Sequence, residues 1–114
     1  MPTNCLFCQI IAGQIPATVV HRTERLTAIR DINPAAPTHL LLLPNEHIGS
    51  VAEAQPAHAA LLGELLLTAA VVAQQQGLGG GYRLVINTGA DGGQTVQHLH
   101  VHLLGGRAMR WPPG

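Results

Sequence analysis

The stretch HLHVHLLGG, residues 98–106, decides the fold and the chemistry that this chain of 114 residues suggests. Histidines alternate here with apolar residues, at His98, His100 and His102. Successive side chains of a β-strand point to opposite faces. We therefore expect a strand that carries its three imidazoles on one face and buries the intervening apolar side chains on the other.

Three interpretations of this histidine ladder compete. The first is the solvated face of an edge strand, but serine, threonine or lysine would serve there equally well. The second is a catalytic zinc site, in which two histidines of the strand and a third ligand hold the ion. The third is nucleophilic catalysis by one imidazole that its neighbours orient.

The loop before the ladder, GADGGQT at residues 89–95, favours the third interpretation. Its glycines let backbone N–H groups approach an anion closely, and Gln94 and Thr95 add side-chain donors. A neutral imidazole attacks phosphorus and also leaves it readily, which divides one displacement into two easier steps. The sequence therefore predicts a phosphate held against an imidazole.

Composition indicates one folded domain and excludes several classes of partner. Apolar residues make up 46% of the chain and charged residues 11%, which argues against disorder. Six basic and six acidic residues balance, so there is no electrostatic argument for nucleic acid or for an anionic membrane. No apolar run looks long enough for a membrane span, and the N-terminus does not resemble a secretion signal, so we expect a cytoplasmic protein.

The order of patterns along the chain predicts an α+β fold. A short helix is expected after Asn4, ended by Gly13, and a long helix over 56–76. Strands are expected over 19–22, 26–32, 39–44, 82–89 and 98–106. Because most strands follow one another without a helix between them, we expect an antiparallel five-stranded sheet with its helices on one side.

The run GGQTVQHLHVHLLGGR, residues 92–107, resembles the signature of the histidine triad (HIT) superfamily. The similarity continues, in order, through LFCQIIAGQIPA, RDINPAAPTHLLLLPNEHI, YRLVINTGADGGQ and WPPG, and it is closest to the Hint branch of nucleoside phosphoramidases. The resemblance implies a single HIT domain over 1–114. It also implies a homodimer with one continuous sheet, in which the tail 105–114 lies at the edge between dimer and active site.

The resemblance assigns catalysis to four histidines. His100 corresponds to the nucleophile, which attacks the α-phosphorus of a purine nucleoside 5′-phosphoramidate or a related AMP ester or anhydride. Water then releases the nucleoside monophosphate from the nucleotidyl-histidine, and the chemistry needs no metal. The carbonyl of His98 orients the nucleophile, while His102 and His39 complete the network around the phosphate and leaving group.

The same resemblance implies a nucleotide-binding site for substrates or products such as AMP and GMP. The phosphate-contacting positions are Asn87, Gly93, Gln94 and Thr95, the last in place of a common serine. Asp31 matches the carboxylate that binds the ribose, although alone it would be an ordinary turn residue. The apolar slot for the base is made of Leu6, Phe7, Ile10, Ile29, Ile32 and Leu41, which without the resemblance are simply core residues.

Two further features concern the two ends of the chain. Trp111 matches a residue that reaches the partner's active site, although it would otherwise be expected to pack on its own subunit. Cys5 and Cys8 form C-x₂-C, which is consistent with a redox pair, with two small buried residues or with half of a zinc site. Similarity to bacterial-type relatives implies a structural zinc, remote from the chemistry, on Cys5, Cys8, His47 and His98.

Several functions remain open at this stage. The alternatives to a phosphoramidase are a nucleotide-binding or interaction protein with vestigial activity, a dinucleoside polyphosphate hydrolase, and hydrolysis by a catalytic zinc on the triad. The complete triad, with Asn87 and Asp31, favours an active enzyme. Chelation discriminates the catalytic zinc, because it would abolish turnover without unfolding the protein.

Overall fold

The computed structural model describes residues 4–114, which form a five-stranded antiparallel sheet with the strand order β1-β2-β3-β5-β4. The strands are β1 (Val19–Arg22), β2 (Leu26–Arg30), β3 (Thr38–Pro44), β4 (Tyr82–Val85) and β5 (Val101–Gly105). A short helix, α1 (Leu6–Ile11), precedes the sheet, and a long helix, α2 (Ala59–Gln75), lies between β3 and β4 in the chain. The predicted α+β fold with one short and one long helix is confirmed.

The main core lies between α2 and one face of the sheet. Its strand residues alternate along the chain, because only every second side chain of a strand points to one face. Fully buried members include Leu40, Leu42, Leu99, Val101 and Leu103, and α2 adds Leu61, Leu65, Ala69 and Val72. The apolar residues between the triad histidines therefore enter this core, as their alternation predicts.

Helix α1 packs on the opposite face of the sheet. Phe7 and Ile10 join Leu41 and Leu43 in a second buried cluster, separate from the α2 core. The expectation that both helices lie on one side is thus wrong. The physical reason is that β3 is apolar on both faces, so successive leucines of the run 40–43 supply the two clusters in turn.

Three strands are shorter than the sequence predicts. β2 ends at Arg30 and β4 at Val85, and β5 begins only at Val101. Before β5 the chain bends over residues 96–98, and the N–H of Leu99 donates to the carbonyl of Ile48 at 2.6 Å. His98 and His100 therefore lie before the regular strand, which lets them take separate environments.

The helices also begin at positions that differ from the prediction. Cys5, and not Asn4, is the N-cap of α1, and its Sγ accepts a hydrogen bond from the N–H of Cys8 at 3.4 Å. Gly13 follows α1 with a positive φ of 79°, which glycine adopts without steric cost. The long helix starts as a 3₁₀ turn, Pro56–His58, before it becomes regular.

One helix is long and apolar enough to cross a membrane by length and composition alone. It is Pro56–Gln75, with a mean hydropathy of 1.6, so the expectation that no run has this length needs correction. Such a single helix is weak evidence, since core helices of soluble proteins meet the same criteria. Here one side packs on the sheet through residues such as Leu65 and Val72.

Candidate active site and metal cluster

His100 is buried immediately before β5 with a defined proton position. Its Nδ1 lies 2.7 Å from the backbone carbonyl of His98. A carbonyl can only accept, so Nδ1 carries the proton and Nε2 keeps its lone pair. Phe7 contacts the ring edge-on, with 5.0 Å between centroids. The arrangement presents the lone pair that a nucleophilic imidazole requires.

The His98 ring lies in a different environment from that of His100. Its Nε2 donates to the carbonyl of Pro44 at 2.9 Å, so Nδ1 is the unprotonated atom. That Nδ1 lies 3.4 Å from Cys5 Sγ, 3.5 Å from Cys8 Sγ and 3.2 Å from His47 Nδ1. Burial is the main cause that lowers the pKa of His98, and the Pro44 carbonyl opposes it.

These four side chains form a set that could hold a metal ion. One ligand atom from each of Cys5, Cys8, His47 and His98 lies within 4.8 Å of all the others. Burial and the neighbouring Cys5 thiol raise the pKa of Cys8 to about 11, so the thiolate is costly without a compensating cation. Two sulfurs and two imidazoles match the donors that tetrahedral zinc prefers, so the residues fit that ion.

The metal-capable cluster is not remote from His100. His98 contributes its ring to the cluster and its carbonyl to His100. Phe7, which lies between the two cysteines in the sequence, contacts both rings, with 5.9 Å between its centroid and that of His98. The expectation of a remote site therefore needs correction, because both centres share one residue.

His39 and His102 form a second group beside His100. His39 Nε2 lies 2.9 Å from His102 Nδ1 and 3.4 Å from the Asp31 carboxylate. His102 is about half-buried, and its ring centroid lies 5.0 Å from that of His100. Burial, then the neighbouring His100 and His39, lowers the pKa of His102 to about 4, although Asp31 opposes the shift.

A cavity of about 330 Å³ brings most of the expected nucleotide-binding residues together. Its polar lining includes Asp31, Thr95, His100 and His102. All six residues of the predicted apolar slot lie in its lining: Leu6, Phe7, Ile10, Ile29, Ile32 and Leu41. Ile32 is 90% exposed, so it is a rim residue and not a core residue.

Sequence reasoning missed some lining residues of this cavity. They are Ile15, Pro16, Ala17, Arg30, Asn33 and Val96. The first three belong to the GQIPA segment that follows α1, where an apolar residue beside a proline gives no periodicity to interpret. Their position becomes evident only once α1 is placed against β2 and β3.

Gln94 braces the glycine-rich loop. Its Oε1 accepts from the N–H of Gly89 at 3.0 Å, and its Nε2 donates to the carbonyls of Gly49 and Val96 at 2.7 and 3.0 Å. Both amide hydrogens are therefore occupied within the protein. In this geometry the Gln94 side chain holds the loop instead of extending toward a ligand.

Two positions of this loop require glycine for steric reasons. Gly93 has a φ of 84°, and a Cβ on Gly92 would collide with the backbone of Thr88. Thr95 lines the cavity, and its hydroxyl has no hydrogen-bond partner among residues 4–114. Of the side-chain donors expected here, Thr95 is the one available to a ligand.

Several expected site residues lie outside the cavity lining, among them Gly93, Asn87 and Trp111. Gly93 is exposed in the loop, and Asn87 is half-buried beyond the end of β4. Trp111 is 82% exposed in the C-terminal tail. Its own subunit therefore buries little of it, which contrasts with the interpretation that it packs on its own chain.

Comparison with known proteins gives consistent matches. The HIT domain family model matches residues 12–109. The 14 kDa zinc-binding protein of Zea mays is 54% identical over 111 residues, covering 96% of this chain and 87% of the maize protein. Adenylylsulfatase HINT1 of Arabidopsis thaliana is 49% identical, covering 96% and 76%. The crystal structure of a HIT family hydrolase from Legionella pneumophila Philadelphia 1 has a TM-score of 0.95 at 52% identity, covering 97% of this chain and 100% of that chain.

The lowered pKa of His102 predicts how stability depends on pH. Between the ordinary value of 6.5 and about 4, the unfolded chain binds more protons at this residue than the folded chain. The free energy of unfolding should therefore fall as the pH decreases through this window. We expect His102→Asn to reduce that slope in urea unfolding between pH 7 and pH 4.5. An unchanged slope would contradict the assignment, and His21→Asn controls for loss of an imidazole.

Proposed function

Because the chain belongs to the HIT domain family, we propose that it is a hydrolase that cleaves purine nucleoside 5′-phosphoramidates, and related esters and anhydrides of AMP, to the nucleoside monophosphate. The observation that carries this proposal is the His100 Nε2 lone pair beside an apolar cavity with a carboxylate, Asp31. The similarity to an adenylylsulfatase and to a HIT family hydrolase supports hydrolysis of nucleotides as the general class.

The reaction proceeds through two displacements at phosphorus. His100 Nε2 attacks the α-phosphorus, an N–P bond forms, and the bond to the amine leaving group breaks as that amine takes a proton from water. The hydroxide left by that water then attacks the phosphorus, the bond to His100 breaks, and the monophosphate departs. The His98 carbonyl stabilises the cationic ring through the Nδ1–H bond in the intermediate.

Substrate binding follows from the residues around His100. Asp31 accepts hydrogen bonds from the ribose hydroxyls, and the apolar slot holds the base with few polar contacts, so adenine and guanine are both accepted. Thr95 contacts the phosphate from the cavity lining, and Asn87 and the loop backbone at Gly93 complete the phosphate contacts from outside that lining. Gln94 acts as a positioning residue, because it ties this loop to Gly49 and Val96.

We assign a structural zinc ion to Cys5, Cys8, His47 and His98. The donor set supports this proposal, as does the name of the related zinc-binding protein from maize. When bound, zinc compensates two buried thiolates and joins α1 to the segment that carries His98. The thiols persist where the surroundings are reducing, which agrees with a cytoplasmic location.

We also propose that two copies associate through α2 and β4. The outer side of α2 exposes Leu66, Leu67 and Val71, and β4 is an edge strand that pairs only with β5 among the described residues. An exposed apolar stripe next to an unpaired strand edge is a surface that a second copy can cover. In such a dimer the exposed Trp111 has a partner surface to contact.

Two alternative functions predict different experimental results. An interaction protein with vestigial activity would bind AMP in the cavity without turning substrate over. A dinucleoside polyphosphate hydrolase would prefer that substrate over a phosphoramidate. No described residue favours either alternative, whereas His100, Asp31 and Thr95 together favour the phosphoramidase.

The nucleophile assignment predicts a large effect of one substitution. His100→Ala should lower the rate of hydrolysis of adenosine 5′-phosphoramidate by at least ~10³-fold, because alanine has no lone pair that can attack the phosphorus. His21→Ala, which removes an imidazole on β1 outside the cavity, should keep full activity. Retention of activity in His100→Ala would refute the mechanism, and AMP binding without turnover in the wild type would favour the interaction protein.

The zinc assignment predicts one metal ion per chain and strong stabilisation. Cys8→Ser should lose that ion and lower the melting temperature by at least ~10 °C, because the ion compensates buried thiolates. Elemental analysis and thermal unfolding measure both effects, and His58→Ala serves as the control. Loss of turnover in an apo protein that keeps its folded near-UV spectrum and its His100 to His98 hydrogen bond would indicate a catalytic metal instead.

The dimer assignment predicts a change in mass after one surface substitution. Leu67→Arg places a charge in the apolar stripe of α2 and should convert the dimer to a monomer in light scattering at micromolar concentration. Ala52→Arg adds the same charge on an exposed turn and should leave the dimer intact. A monomeric wild type would contradict the assignment.

A further inference from the structure

The loop between β2 and β3 holds His39 at three points. The backbone N–H of Asp31 donates to the carbonyl of His39 at 3.0 Å, and the N–H of Ala35 donates to its ring Nδ1, also at 3.0 Å. The Asp31 carboxylate lies 3.4 Å from its Nε2. The other carboxylate oxygen accepts from the N–H of Asn33 at 2.8 Å, which fixes the orientation of the Asp31 side chain.

These contacts determine where His39 carries its proton. A backbone N–H can only donate, so the Nδ1 that faces Ala35 must present a lone pair. The single ring proton is then on Nε2. A cationic His39 would place a second proton on Nδ1, directly against the N–H of Ala35. His39 is therefore neutral and protonated on Nε2.

The state of His39 determines the state of His102. The Nε2–H of His39 points to His102 Nδ1 at 2.9 Å, so that Nδ1 accepts the hydrogen bond. The proton of His102 consequently lies on its own Nε2. This atom has no hydrogen-bond partner among residues 4–114, and the ring lines the cavity beside His100. A donor is thus presented to whatever occupies the cavity.

A metal ion is a poor alternative for this trio, although its spacing would permit one. Asp31, His39 and His102 place three donor atoms within 4.8 Å of one another. A metal on His39 Nε2 would require the lone pair there and the proton on Nδ1. Because Nδ1 already accepts from Ala35, the protonation pattern matches a chain of hydrogen bonds and not a ligand set.

We propose that Asp31 is a positioning residue that acts through His39 to hold His102 as a neutral Nε2–H donor to a phosphoryl oxygen of the substrate. This inference rests on the proposed function, and it gives Asp31 a role besides contact with the ribose. The carboxylate lies 3.4 Å from His39 Nε2, and its negative charge favours a proton on that atom, which points to His102.

This tautomer limits what His102 can do chemically. A neutral imidazole that gave up its Nε2 proton would become an imidazolate, which is far too basic to form here. His102 therefore stabilises charge on the phosphoryl oxygen through a hydrogen bond and does not protonate the leaving group. The low pKa of His102 agrees with a ring that stays neutral throughout turnover.

A kinetic comparison separates the two roles of Asp31. Asp31→Asn and the wild type are assayed with adenosine 5′-phosphoramidate and with its 2′,3′-dideoxy counterpart, which offers no ribose hydroxyl. We expect kcat to fall roughly 10- to 100-fold with both substrates, because a small misplacement of a group that contacts the reacting phosphate has effects of this size. Glu24→Gln, the same change on an exposed turn, should leave kcat unaltered. A loss confined to the substrate with hydroxyls would overturn the proposal.

The tautomers can be measured without turnover. ¹⁵N NMR of the histidine rings at pH 7 should give neutral, Nε2-protonated His39 and His102 in the wild type, and mixed tautomers of His102 in Asp31→Asn. A cationic His39 or an Nδ1-protonated His102 would overturn the proposal. If the expected tautomers occur in a protein that hydrolyses no phosphoramidate, the assigned reaction fails while the positioning role of Asp31 stands.

Discussion

The hydrogen bond from His100 Nδ1 to the carbonyl of His98 is the interaction on which the site depends. It requires the chain to leave the sheet before Val101, so that a backbone carbonyl two residues earlier can face the ring. The hydrogen bond from the N–H of Leu99 to the carbonyl of Ile48 stabilises this bend in the chain. A regular strand from residue 98 would use this carbonyl in the ladder, and His100 would lose its fixed tautomer.

The two faces of β3 organise everything else. One set of leucines packs on α2 and forms the main core. The other packs on α1, and its Leu41 lines the cavity. The main core and the cavity thus lie on opposite faces of a single strand. The imidazoles follow the same division, since the apolar residues between them enter the α2 core and the rings turn toward α1.

The sequence predicts those features that repeat with a period or belong to a long motif. The alternation over residues 98–103 gave the correct faces, and the match to a known family identified the slot that lines one cavity. The side of the sheet on which α1 packs could not be predicted, because four consecutive leucines have no preferred face. The hydrogen bonds of Gln94 and the protonation of His39 were also inaccessible, since they depend on backbone groups such as Gly49 and Ala35 that any residue could supply.

Helix α1 has six residues and a thiol as its cap, so it is too short to be stable by itself. It nevertheless carries Cys8 of the metal-capable cluster, and its N-cap is the second cysteine, Cys5. It also supplies Leu6, Phe7 and Ile10 to the wall of the cavity. An ion that joins the cysteines and a nucleotide that fills the cavity would each suppress the local opening of this one segment. By thermodynamic reciprocity each such ligand would then tighten the binding of the other.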